Sequence, residues 1–132
     1  MVTEQELIEK AAAMLERSYS PYSRFPVGAA LECADGAVFT GCNIENASYG
    51  LTVCAERTAA FKAVSEGHTR FSRIVIAGRS DDYCWPCGAC RQAMAQYETK
   101  SGKPIKVILG SEGRILVFSS IADLLPLSFR CI

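Results

Sequence analysis

No stretch of this chain is apolar enough to span a bilayer as a helix. The longest unbroken hydrophobic run is five residues, Ala11 to Leu15, against about 20 for a membrane helix. Net charge is missing too, since 14 basic residues balance 14 acidic ones. A nucleic-acid backbone calls for a basic stripe and an anionic membrane surface for a basic cluster, so neither is expected as a partner. Internal repeats, low-complexity tracts and Pro/Gly/Ser-rich linkers are absent, which argues for one domain over residues 1–132. The N-terminal Met-Val-Thr-Glu-Gln-Glu has neither the basic region nor the apolar core of a secretory signal. A cytoplasmic protein is the expectation. With 49% hydrophobic and 21% charged residues, the chain has the make-up of a globular protein with one core.

What the chain does have is cysteine. Seven is many for a reducing compartment, and an odd number cannot pair off into disulfides. Reduced cysteine at this density points to a metal or to thiol chemistry.

Thr3 followed by Glu6 predicts a capping box. It opens a helix with Leu7, Ile8, Ala11, Met14 and Leu15 on one face, ending near Ser20-Pro21. Strands are predicted at Val27 to Cys33 and Val38 to Asn43, joined by a turn at Asp35-Gly36. A second helix runs from Cys54 to Ser65, stopped by Gly67. A buried strand at Ile74 to Ala77 follows, then a third helix from Gly88 to Lys100. Ile105 to Leu109 and Ile115 to Phe118 pair around a turn at Gly110 to Gly113, and a short helix covers Ser120 to Leu125. Strands alternating with helices predict an α/β domain with helices on both faces of one sheet.

Two segments carry chemistry, Cys54-Ala55-Glu56 and Pro86-Cys87-Gly88-Ala89-Cys90. Cys87 and Cys90 stand about one helical turn apart, close enough to share an ion. Cys54 is the candidate third ligand, leaving a tetrahedral zinc with the open position of a catalytic site and Glu56 beside it. Both segments fall at predicted helix starts, where the dipole favours thiolates. Three thiolates around a dication leave a charge of about −1, and Arg57 is the candidate to offset it. Two other readings stay open. Cys84-Trp85-Pro86-Cys87 has the spacing of a redox dithiol, and adding Cys84 to the other three gives a closed structural zinc site. Cys33, Cys42 and Cys131 read as small buried hydrophobes. The single histidine, His68, reads as a surface residue and not as a ligand.

Cys-Ala-Glu followed by Pro-Cys-Gly-Ala-Cys is similar to the three-cysteine form of the zinc deaminase signature. Tyr22-Ser23-Arg24-Phe25, Gly41-Cys42-Asn43-Ile44-Glu45-Asn46, Cys54-Ala55-Glu56-Arg57-Thr58-Ala59 and Leu124-Leu125-Pro126 extend the likeness over nearly the whole chain. They resemble the short, homotetrameric, bacterial-type cytidine deaminases. The resemblance implies a three-layer α/β/α sandwich with a central five-stranded mixed sheet. It implies one zinc per subunit on Cys54, Cys87 and Cys90, with Glu56 shuttling protons during hydrolytic deamination of free cytidine or deoxycytidine in pyrimidine salvage. Phe25 then packs on the nucleoside, Asn43 and Glu45 bind the ribose hydroxyls, and the Ala55 backbone with Glu56 reads the pyrimidine edge. Neighbouring subunits would supply Ala47, Tyr49 and Phe129. Without the cysteine segments, Phe25 reads as core, Asn43 and Glu45 as loop caps, and Tyr49 and Phe129 as interface or core aromatics. Deaminases of a cytosine-nucleoside antibiotic such as blasticidin S, or of nucleic acid, and a non-enzymatic zinc module are the competing functions.

Overall fold

The structure is a computed structural model that describes residues 1–79, 82–111 and 113–130. Its first helix, α1 (Glu4–Ala13), starts as the spacing of Thr3 and Glu6 predicts. The Thr3 hydroxyl accepts from the Glu6 N–H, and the Glu6 carboxylate accepts from the Thr3 N–H, both at 3.1 Å. The helix ends well before Ser20-Pro21, in a 3-10 turn over Met14–Arg17. The cause is tertiary: Tyr19 is drawn into an extended bridge with Ile44, its N–H reaching the Asn43 carbonyl.

Five strands follow the predicted order: β1 (Val27–Cys33), β2 (Val38–Cys42), β3 (Phe71–Gly78), β4 (Lys106–Ser111) and β5 (Arg114–Phe118). They form one sheet in the order β2-β1-β3-β4-β5. Only the β3–β4 pair is parallel, so the sheet is mixed. The other helices are α2 (Ala55–Ser65) and α3 (Gly88–Ser101), which ends on left-handed Gly102. Two more 3-10 turns cover Tyr49–Leu51, which no sequence signal announces, and Ile121–Asp123, shorter than the helix predicted there.

Strand alternation sorts the core into two faces. Ala29, Leu31, Ile74, Ile76, Val107 and Leu109 point to the α2 and α3 side. Ala30, Val75, Ala77 and Ile108 point to α1. This is the expected three-layer α/β/α sandwich. One glycine on each face lets a helix lie directly on the sheet. A Cβ on Gly28 would sit 2.0 Å from the Ala11 carbonyl oxygen, and one on Gly41 2.5 Å from that of Ala55.

The register decides where chemistry can gather. Val27 at the start of β1 pairs with Gly78 at the end of β3, and Gly28 pairs with Cys42 at the end of β2. The chain therefore leaves β2 and β3, and enters β1, at one end of the sheet. Both connections from that end lead to a helix start: 43–54 into α2, and 79–87 into α3. Cys33 and Cys42 are buried, as small hydrophobes would be; Cys131 lies outside the described residues. His68 is partly exposed, its Nδ1 3.3 Å from Asp35 and its ring tilted at 55° against Phe39. No helix among the described residues is long and apolar enough to cross a membrane.

Candidate active site

Cys54 and Cys87 occupy the N-cap positions of α2 and α3, and neither side chain caps its own helix. Serine or aspartate there would turn inward to the free N–H groups. Here the sulfurs turn outward, at the positive ends of two helices. Cys54 Sγ lies 3.6 Å from Cys87 Sγ, which lies 3.5 Å from Cys90 Sγ in the first turn of α3. All three sulfurs fall within 4.8 Å of one another. A tetrahedral ion with Zn–S bonds of about 2.3 Å holds its sulfurs about 3.8 Å apart, so the spacing fits such an ion.

The thiols are not equivalent. Hydrogen bonding from Cys90, with Arg57 and Cys87 adding to it, draws the Cys54 thiol down to about 5. The Cys90 thiol, hydrogen-bonded to Cys54 and buried, is pushed up. Arg57 Nη2 donates to Cys54 Sγ at 3.5 Å, while its Nε is buried without a hydrogen-bond partner. At the second position of α2, Glu56 is only 4% exposed. Burial, helped by the negative charge of Cys54, raises its carboxyl to about 7. A carboxyl at that value takes up and releases protons near neutrality.

Cys84 is outside the trio. It packs against Gly78, and burial pushes its thiol up to about 12. The four-sulfur site is therefore not assembled. A redox dithiol needs a lowered thiol, and burial shifts Cys84 the other way.

An Ile44–Val53 bridge, bonded in both directions at 2.9 Å, closes the loop between β2 and α2. It brings Asn43 and Glu45 to the sheet end that carries Cys54. Asn43 is buried, its Nδ2 donating to the Phe25 carbonyl at 2.9 Å and its Oδ1 accepting from Val27 N–H and the Ser18 hydroxyl. Glu45 accepts from the N–H groups of Tyr22 and Ser23 at 3.0 and 3.1 Å and from the Ser23 hydroxyl. These bonds pin the turn that carries Phe25, where Arg24 takes a left-handed φ of 56°. Phe25 is 43% exposed, so it is not the core residue its setting alone would suggest. A pocket of about 380 Å³ is lined by Tyr22, Ser23, Glu45, Asn46, Tyr49 and Thr52, without Phe25. Ala47, Tyr49 and Phe129 stand exposed at the surface, and Ala55 is fully buried at the first position of α2.

Sequence reasoning missed residues that brace the framework of this site through side-chain and main-chain partners. Ser18 and Ser23 brace Asn43 and Glu45. Arg91 spans the Pro86 and Leu124 carbonyls. Glu98 accepts from Ile105 N–H, Ile121 N–H and the Ser120 hydroxyl, tying α3 to β4 and the C-terminal turn.

An α/β/α sandwich with three clustered cysteines and a buried glutamate between two helix starts falls in the class of zinc deaminases. A family profile described as "Cytidine and deoxycytidylate deaminase zinc-binding region" matches residues 1–103. The cytidine deaminase of Halalkalibacterium halodurans is 48% identical over 125 residues, 95% of this chain and 92% of that protein. A solved cytidine deaminase from Burkholderia pseudomallei superposes with a TM-score of 0.89 at 46% identity, covering 97% of this chain and 100% of its own. More distant is a blasticidin-S deaminase from Bacillus cereus, 31% identical over 94% of this chain and 90% of that protein. The chain belongs to the cytidine deaminase family and is an enzyme of that kind.

Proposed function

We propose that this enzyme hydrolyses cytidine and 2′-deoxycytidine to uridine and 2′-deoxyuridine with release of ammonia, in cytoplasmic pyrimidine salvage. The observation that carries the reading is a trio of sulfurs within 4.8 Å of one another next to a carboxyl that burial holds near 7. Cys54, Cys87 and Cys90 would hold one zinc per subunit. When bound, that ion supplies Lewis acidity and lowers the pKa of water toward about 7.

Glu56 does the proton work. It takes a proton from the attacking water and gives it to the ring nitrogen beside carbon 4, so that oxygen adds to that carbon. The same carboxylate then moves the proton of the new carbon-4 hydroxyl to the amino group; the carbon–nitrogen bond breaks, the carbonyl forms and ammonia leaves. One water is consumed per nucleoside, and Glu56 ends as it began. Arg57 offsets the negative charge of the sulfurs from its bond to Cys54. A neutral residue at position 57 is expected to lower metal content or turnover; unchanged values of both would remove that role.

Phe25 packs on the nucleoside, Asn43 and Glu45 bind the ribose, and the Ala55 backbone helps read the base. Ala47, Tyr49 and Phe129 complete a neighbouring subunit's pocket in a homotetramer. The exposure of Tyr49 and Phe129, 77% and 64%, supports a role between chains.

Ultraviolet-monitored loss of cytidine by purified protein, with and without a chelator, tests the reading. Activity is expected to track stoichiometric zinc, and full activity without a transition metal would overturn it. Turnover of cytidine is also expected to exceed that of blasticidin S, because the Asn43 and Glu45 pair suits an unmodified ribose.

A further inference from the structure

Of the three sulfurs, Cys87 is the least supported. Cys90 is buried and Cys54 receives the Arg57 guanidinium, whereas Cys87 is exposed and caps no N–H. Its position therefore depends on the backbone that delivers it, residues 82–86. One end of that segment is seated on the sheet edge by ring contacts, Tyr83 with Trp85 at 6.2 Å and Trp85 with Phe118 at 6.0 Å. The other end is held by Arg91, half-buried in the first turn of α3. Its Nε donates to the Pro86 carbonyl at 2.8 Å, and its Nη1 to the Leu124 carbonyl at 2.7 Å. Pro86 immediately precedes Cys87. Leu124 closes the 3-10 turn Ile121–Asp123, and the neighbouring Gln92 donates to the Phe129 carbonyl at 3.1 Å.

We propose that Arg91 is a positioning residue for the metal centre, clamping the loop that delivers Cys87 to the C-terminal segment so that the two are held as one unit. The inference rests on the zinc-site reading above. The guanidinium suits the task because its rigid fork can reach two carbonyls at once. A lysine ammonium at the same position reaches one. Fixing the Pro86 peptide fixes the direction in which Cys87 leaves the loop, and hence its distance to the other two sulfurs.

The test compares zinc-loaded wild type with Arg91→Met, Arg91→Lys and Gln92→Ala. The rate of zinc transfer to a colorimetric chelator is followed below the melting temperature of every variant. Arg91→Met, which keeps the stem and loses the donors, is expected to release zinc about tenfold faster, in line with lost outer partners of metal ligands. Arg91→Lys falls between, and Gln92→Ala stays within about twofold of wild type on the same scale. Cobalt-substituted samples of all four are expected to keep the sulfur-to-metal absorption bands, since the ligands are unchanged. If Arg91→Met does not fold, the Lys variant decides, with at least about threefold faster release expected. Release at the wild-type rate overturns the proposal. So does equal acceleration by Gln92→Ala, which would assign the effect to a loosened C-terminal segment. Wild type that retains no zinc defeats the metal reading itself, a distinct result seen before any variant is made.

Discussion

At the scale of single residues, Glu56 joins burial to chemistry most directly. Its carboxyl is raised to about 7 chiefly because it is out of water, the condition under which one group can both accept and return a proton. Glu56→Gln keeps the shape and removes the exchange. Turnover of cytidine is expected to fall by about 10² to 10⁴ or more with metal content unchanged; near-normal turnover would refute the shuttle. Glu45 shows the opposite shift. The Ser23 hydroxyl, then the N–H groups of Ser23 and Tyr22, hold its carboxyl below the usual 4.5. A depressed acid remains ionised as pH falls, so its grip on the Phe25 turn is in place above 4.5 and is lost at a lower pH. Ser23→Ala removes the largest cause, and the midpoint for Glu45 should climb toward 4.5 in a carbon-detected NMR titration. An unmoved midpoint would show that Ser23 does not set it. Residues of this kind divide by legibility. Cys54, Glu56, Cys87 and Cys90 announce themselves through type and spacing. Ser23, Arg91 and Glu98 do not, because their partners are groups distant in sequence that only the folded chain brings within reach.

At the scale of elements, the site exists because α2 lies tight against β2. Gly41 makes that possible: a Cβ there would come within 2.6 Å of Ala59 N as well as 2.5 Å of the Ala55 oxygen, both backbone atoms that cannot turn aside. Gly41→Ala must push α2 away, and with it Cys54 and Glu56. The expected cost is about 3 kcal/mol or more, the upper part of the overpacking range, measured by urea unfolding, with zinc lost more readily. Stability within about 0.5 kcal/mol of wild type would mean that the helix yields without strain. Thr3→Ala is the control at a helix end remote from the cysteines. Losing that cap should cost about 1 kcal/mol and leave the kinetics alone. Helix starts and strand limits were legible where local chemistry decides them: Thr3 with Glu6, and both ends of β1. The end of α1 was not, because the Tyr19–Ile44 bridge that stops it is a long-range pairing. The 3-10 turn at Tyr49–Leu51 was missed for a related reason, as it forms inside a loop closed by the Ile44–Val53 bridge.

At the scale of the molecule, one chain is not a finished enclosure. Small-molecule sites usually bury about 70–90% of the ligand, yet Phe25 is 43% exposed, Tyr49 77% and Phe129 64%. Large aromatic side chains in water are costly to leave uncovered, and Tyr49 lines the pocket beside Glu45. A second chain laid over them both shields the aromatics and closes the pocket, which would make assembly a condition of catalysis and not merely of stability. Specific activity should then be flat while the proposed tetramer persists and fall as dilution dissociates it, the two curves coinciding when mass photometry and cytidine turnover are read on the same samples. Tyr49→Ala and Phe129→Ala separate the contributions. If these residues reach into a neighbour's pocket, each variant raises KM for cytidine in a preparation that is still tetrameric. A monomer with undiminished specific activity would mean that the chain closes its own pocket, and the exposed aromatics would then need another explanation.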